Sequence, residues 1–335
     1  MGPGLDEERS VESTALYDPP MKRLLPLVAA VLLASPGTAS DLRLGLIGTD
    51  TSHVIAFTKA FNGPAGADHV DGAKVVAAFK GGSPDVEASH TRVDRFANEL
   101  REDWGVVFVD EIASLCSLVD AILLESVDGR THLEQTRQAL ACGKPMFIDK
   151  PLASTLEDAR EIARLAAEAG VPWFSSSSLR WSEIVTTLEA DDTHGVSTWG
   201  PGPTEPHHYL DLSWYGIHSV EMLFALMGPG CVEVTRFPSE SGDIVMGRWA
   251  DGRLGTVRAL SEARGYGAVV FRAKTVEHSR PDMRTSYLPM LRKIVEFFRT
   301  GRPPVPNEET LEIFAFMDAA QRSKEQGGAS VPLAR

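Results

Sequence analysis

Short apolar runs alternate with segments of helical period between residues 42 and 174, and this alternation restricts the fold more than any other feature. The runs fall at 42–48, 73–79, 105–108, 119–124, 145–148 and 171–174. The segments at 54–61, 86–103, 111–115, 132–141 and 155–169 read as helices. Strands separated by helices favour a parallel, doubly wound sheet with helices on both faces. After residue 174 the pattern changes. A helix is predicted over 209–227, strands over 243–249, 255–259 and 268–273, and helices over 288–300 and 308–325. Asp251-Gly252 is a hairpin signal, so these later strands are expected to be antiparallel. The chain therefore divides into an α/β half, residues 41–173, and an α+β half, residues 174–335.

In an open α/β sheet, ligands bind beyond the carboxyl ends of the strands. Gly143-Lys144-Pro145-Met146-Phe147-Ile148-Asp149-Lys150-Pro151 places a lysine at such an end. Pro151 restricts Lys150 to extended geometry, which fixes the lysine's backbone. Lys150 is thus a candidate proton donor or substrate anchor. In the later half, Asp211, Trp214, Tyr215 and His218 share one face if the segment is helical. Histidine is the natural general base near neutral pH. His218 is the candidate base and Asp211 its candidate orienter.

The first strand–helix turn, Gly48-Thr49-Asp50-Thr51-Ser52-His53, stands where a dinucleotide's pyrophosphate would bind. The usual fingerprint has three glycines. Gly48 keeps the first, while Asp50 and His53 take the other two positions. Asp50 is a suitable N-cap for the helix. It also sets an anion where pyrophosphate would lie, and two like charges about 4 Å apart repel by roughly 1 kcal/mol in water. Thr49 and Ser52 add hydroxyls. Lys80 follows the second strand, where an acid would normally hold the ribose 2′-hydroxyl. Together with Ser83 it would suit a 2′-phosphate. Glu125 and His132, after the fourth strand, complete the candidate cofactor contacts.

These motifs resemble the Gfo/Idh/MocA oxidoreductases, the relatives of glucose–fructose oxidoreductase and inositol dehydrogenase. Asp149-Lys150-Pro151 is similar to that family's Glu-Lys-Pro signature. His132 and Ala139-Leu140-Ala141-Cys142-Gly143-Lys144-Pro145 resemble the stretch before it, and Gly216-Ile217-His218 the end of its Asp-x-Gly-x-His motif. Thr300-Gly301-Arg302-Pro303-Pro304 and the helix carrying Ala319-Ala320 and Ser323 resemble its C-terminal end. The resemblance implies a Rossmann domain, a second domain with a large open sheet, and frequent homo-oligomers. It also implies NAD- or NADP-linked chemistry on a sugar or cyclitol, with Lys150 and His218 as catalytic residues. Trp214 replaces the acid the family places four residues before the histidine, and residues 182–206 look short.

Composition excludes other classes. The 335 residues carry a net charge of −13 and no basic run, so nucleic acid is not an expected partner. The three cysteines, Cys116, Cys142 and Cys231, lack metal-ligand spacing, and an odd count gives no disulfide framework. Each reads as a small core residue. His207, His208 and His218 match no metal motif, and no metal centre is expected. Residues 1–20 are polar and acidic. Met21-Lys22-Arg23, the apolar run 24–34 and Ser35-Pro36-Gly37-Thr38-Ala39-Ser40 then have the layout of a secretory signal peptide. Met21 is the expected start, 1–20 an extension, and the mature protein is expected outside the cytoplasm, free of the membrane.

Overall fold

The computed structural model describes residues 40–334. The expected extension and all but the last residue of the signal segment lie outside the described residues. The first half runs β1 (Leu42–Ile47), α1 (Ser52–Asn62), β2 (Ala73–Phe79), α2 (Glu87–His90), α3 (Val93–Glu102), β3 (Val107–Val109), β4 (Ala121–Leu124), α4 (His132–Leu140), β5 (Met146–Asp149), α5 (Leu156–Ala169) and β6 (Trp173–Ser176). Its strands form one sheet in the order β3-β2-β1-β4-β5-β6. The pairings in it are parallel. The order reverses at β1, so the crevice lies between the β1 and β4 ends.

The second half runs α6 (Glu183–Leu188), β7 (Thr193–Pro201), α7 (Ile217–Met227), β8 (Cys231–Phe237), β9 (Gly242–Trp249), β10 (Leu254–Leu260), β11 (Gly267–Arg272), β12 (Val276–His278), α8 (Leu288–Thr300), α9 (Asn307–Glu325) and β13 (Val331–Pro332). Its sheet has the order β12-β11-β7-β10-β9-β8-β13. The β7–β10 pair is parallel and the others are antiparallel. Sequence reading missed β7, in the stretch taken as short. It also merged α2 and α3, which break at Thr91–Arg92, and began α7 too early, because residues 211–213 form a separate 3-10 turn.

One large core joins the rear of both sheets through Trp173, Phe224, Trp249 and Phe316, while a second lies around Phe57, Phe61, Phe147, Phe174 and Phe297. α8 packs on the first sheet in that second core, so the chain's last third crosses back to the first half. Cys116 and Cys142 are joined by a disulfide, with Cα atoms 4.7 Å apart, which corrects the reading of both as free core residues. Their helical turn and helix end lie side by side, a neighbourhood that spacing does not reveal. Cys231 is free and buried, as expected. No helix among the described residues is long and apolar enough to cross a membrane.

Candidate active site

Lys150 follows β5 at the carboxyl edge of the first sheet, joined to Pro151 by a cis peptide. His218 sits in the first turn of α7. That helix is fixed by Arg180, a buried guanidinium 2.6 Å from Glu221 of α7 and 2.7 Å from Glu309 of α9. Breaking such a buried pair is costly, so the helix start has a defined place. Lys150 and His218 line one cavity of about 300 Å³ with Thr51, Ser52, His53, Trp214, Tyr215, Tyr266 and Tyr287. The Lys150 ammonium lies 5.7 Å from the centre of the Tyr215 ring.

His218 Nδ1 is 2.6 Å from Ser177 Oγ. Burial holds the imidazole well below its ordinary pKa, and the charges of Lys150 and His53 lower it further. His218 is therefore neutral at neutral pH, with its other ring nitrogen free of protein partners among the described residues. Burial pushes the hydroxyls of Tyr266 and Tyr287 up to about 12, so both stay protonated. Asp211 does not orient His218. Its carboxylate pairs with Arg236 at 2.6 Å and Lys324 at 2.7 Å, because its 3-10 turn aims it toward β8 and α9. Ser177 holds the ring instead.

A second layer lies below. His53, in the first turn of α1, sets Nδ1 2.6 Å from Asp149 Oδ2. Burial would raise the Asp149 pKa, but the charge and hydrogen bond of His53, with Lys150, hold it below the usual carboxylate range. Glu125 is fully buried at the end of β4. Burial and then Asp149 push its pKa well up, against the opposing charge of Lys150. Neither of its oxygens, nor Asp149 Oδ1, has a hydrogen-bond partner among the described residues. His132 is also buried, between the carbonyls of Ser126 at 2.7 Å and Leu152 at 3.2 Å. It braces the loops after β4 and β5 and leaves no polar atom free for a ligand.

The β1–α1 turn keeps a glycine where one is needed. Gly48 has φ +87°, and a Cβ there would meet Ser126 Oγ at 2.2 Å. Thr49 is buried and donates to the Lys80 carbonyl at 3.1 Å. Asp50 is not the N-cap. Thr51 is, its side chain accepting from the His53 N–H at 3.4 Å. The Asp50 carboxylate instead accepts from Val127 N–H at 3.0 Å and Ser89 Oγ at 2.6 Å. Burial raises its pKa despite these bonds. Ser89 belongs to segment 83–92, which passes over the crevice. Asp85 of that segment pairs with both terminal nitrogens of Arg130 at 2.9 Å. Val86 packs against Val127 and Trp214. Beneath Arg130, Asp128 meets His208 at 3.0 Å.

On the other side of the β1 end lies an open cavity of about 830 Å³, lined by Lys80, Gly81, Gly82, Arg130, Thr131 and Gln135 among others. Lys80 pairs with Asp94 at 2.8 Å, both half-exposed or more. Between the two cavities, Asp50 holds the Val127 N–H.

Sequence reasoning missed Ser177, Arg180, Tyr266 and Tyr287. Only the run Ser175-Ser176-Ser177-Ser178 at a strand end carried a signal. The tyrosines arrive from distant loops.

A parallel sheet with its crevice at a strand-order reversal, and charged groups gathered there, is the arrangement in which open α/β sheets bind ligands. Residues 42–176 match the oxidoreductase family with an NAD-binding Rossmann fold. Over those residues the chain is similar to the Gfo/Idh/MocA oxidoreductases. Over 138 residues it is 36% identical to 1,5-anhydro-D-fructose reductase of Ensifer adhaerens, covering 41% of this chain and 37% of that protein. The chain thus spans little more than a third of that relative's length. The fold is shared with a probable dehydrogenase from Thermotoga maritima, at TM-score 0.68 and 22% identity over 87% of this chain and 99% of that one. It is also shared with myo-inositol dehydrogenase from Lactobacillus casei, solved with NAD(H) and myo-inositol, at TM-score 0.68 and 16% identity over 88% and 97%.

Proposed function

We propose that the protein is an NAD- or NADP-dependent oxidoreductase acting on a hydroxyl of a sugar, cyclitol or related carbohydrate. The convergence of Lys150 and His218 on one buried cavity carries this reading. When bound, the dinucleotide accepts or supplies the hydride. Lys80 and Arg130 face its adenosine end, and Thr51 and Ser52 line the inner cavity. The Lys150 ammonium donates to the substrate oxygen and stabilises charge that develops on it. Neutral His218 takes the hydroxyl proton, with Ser177 holding the ring. Tyr266 and Tyr287 offer protonated hydroxyls to neighbouring substrate oxygens. Calorimetry with NAD and NADP, then assay of sugars and inositols by nicotinamide absorbance, tests the reading. Failure of both cofactors to bind overturns it and favours a carbohydrate-binding protein on a Rossmann scaffold.

A second reading keeps the cofactor tightly held, turning over by internal redox. The Cys116–Cys142 disulfide supports it, because such bonds persist in oxidising compartments. Export from Met21 belongs to the same reading, and N-terminal sequencing of the mature protein at Ser40 or Asp41 tests it. Mass spectrometry of the purified protein for co-purifying NAD separates the two. Homo-oligomer formation belongs to either, supported by the open face of the second sheet, where Phe237, Ile244, Leu254 and Phe271 are exposed. Light scattering of the purified protein tests it, and a monomer would reject it.

A further inference from the structure

We propose that His53, Glu125 and Asp149 form a binding site for one divalent transition-metal ion, of the Mn²⁺, Fe²⁺ or Zn²⁺ class. Each of the three offers a ligand atom, and these atoms lie within 4.8 Å of one another. All three side chains are buried. Both oxygens of Glu125 and Oδ1 of Asp149 have no hydrogen-bond partner among the described residues. Buried carboxylates are normally paired or coordinate a metal. Lys150 and His53 face Asp149, while burial disfavours charge on Glu125. A divalent ion supplies the charge that lets Glu125 ionise and occupies the gap between the unpartnered oxygens.

The donor set selects the ion. One imidazole nitrogen with carboxylate oxygens suits Zn²⁺, Mn²⁺ or Fe²⁺, whereas Cu⁺ favours sulfur, Cu²⁺ a square-planar ligand set and calcium oxygen alone. The imidazole is already oriented, since His53 stacks on Phe57 at 5.3 Å and meets the edge of Tyr287 at 4.9 Å. His53 Nδ1 and Asp149 Oδ2 now share a proton across 2.6 Å. On metal binding that proton leaves to solvent, together with any proton on Glu125, and both groups turn to the ion. Three protein ligands leave coordination positions open. His53 and Lys150 also line the inner cavity, so an open position is available to water or to an oxygen ligand from that side. The site is argued from its own unpartnered oxygens and not from the dinucleotide reading, although Glu125 and His53 are also candidate cofactor contacts.

The test is titration of the chelator-treated full protein with Mn²⁺ and with Zn²⁺, by calorimetry and, for Mn²⁺, electron paramagnetic resonance. The expected result is one ion per chain, weakened about 100-fold or more in Glu125→Gln, as loss of a ligand requires. Echo modulation from ¹⁴N on bound Mn²⁺ should appear in the native protein and vanish in His53→Gln. Circular dichroism of the metal-free variants establishes that they are folded, and Asp149→Asn serves where one is not. No saturable binding up to about 1 mM, a weak limit for any resident site, overturns the proposal, as does undiminished binding in folded Glu125→Gln. A bound water with a protonated Glu125 would then fill the gap. NAD calorimetry on the same metal-free protein is a separate result, so either reading can fail alone.

Discussion

The two cavities that flank the end of β1 treat charge in opposite ways. In the outer one, Lys80 pairs with Asp94 and Arg130 with Asp85, near solvent and with good geometry. Exposed pairs of this kind contribute about 0–1 kcal/mol and are readily replaced. In and beneath the inner one, Lys150, His218, Glu125 and Asp149 are all buried, and both Glu125 oxygens and Asp149 Oδ1 lack protein partners among the described residues. Burying such groups costs stability, and sites that retain them are candidates for chemistry. Position on the sheet edge alone does not separate the two cavities. Solvation does, and it indicates where a substitution will be felt as lost turnover and where as a small change in affinity.

Removal of the inner ammonium is the strongest test of this contrast. Lys150→Ala should lower kcat/KM by roughly 1,000-fold, in the range of a lost proton-transfer or charge-stabilising group, while circular dichroism stays native. A loss below tenfold would show that the inner charge is not tied to the reaction. His218→Asn should cost roughly 100-fold by the same reasoning. The folded imidazole resists protonation, so activity should hold across neutral pH and fall only below the ordinary imidazole range. An unfolded histidine takes its proton near pH 6.5. The unfolded chain then binds more protons than the native one, so stability falls as pH drops from there through the depressed native value. That acid slope should flatten in His218→Asn; an unchanged urea midpoint profile would remove His218 from the buried set.

Asp50 lies on the boundary between the cavities. Asp50→Gly frees the Val127 N–H and removes a carboxylate from the dinucleotide's path. Binding of NAD or NADP should tighten about tenfold, or about 1.4 kcal/mol, while the lost hydrogen bonds should destabilise the fold by on the order of 1–2 kcal/mol. Calorimetry and melting measure the two separately, and weaker binding would mean that Asp50 contacts the ligand favourably. The smallest effect belongs to the outer cavity. Lys80→Ala should weaken NADP a few-fold and leave NAD nearly unchanged, as an exposed lysine near a 2′-phosphate would. Equal loss for both would place Lys80 elsewhere on the nucleotide.

Most of the first sheet was legible because buried parallel strands read as apolar runs. Ala73–Phe79 and Ala121–Leu124 stand out in the sequence for that reason. β7 was not legible, since Thr193, His194, Ser197 and Thr198 dilute its pattern and one of its neighbours is a parallel partner from far along the chain. Lys150 and His218 could be read because each follows a local backbone rule. The partners of Asp50 and Asp211 could not. Asp50 meets Ser89 and Val127, and Asp211 meets Arg236 and Lys324, through elements brought together only by tertiary packing. The sequence shows where a carboxylate is, and the fold decides which cation or N–H it faces. The disulfide was hidden for the same reason.

Val86, Val127 and Trp214 form an apolar cluster of their own, apart from the two large cores. Segment 83–92 is held over the crevice by that cluster, the Asp50–Ser89 bond and the Asp85–Arg130 pair. Releasing so few contacts takes far less free energy than unfolding the domain, and proteins open locally at such places. Opening of this small cover should therefore be the first local unfolding beside the inner cavity. Its amide protons should exchange with solvent long before those of β1 and β4, making that opening measurable without any turnover.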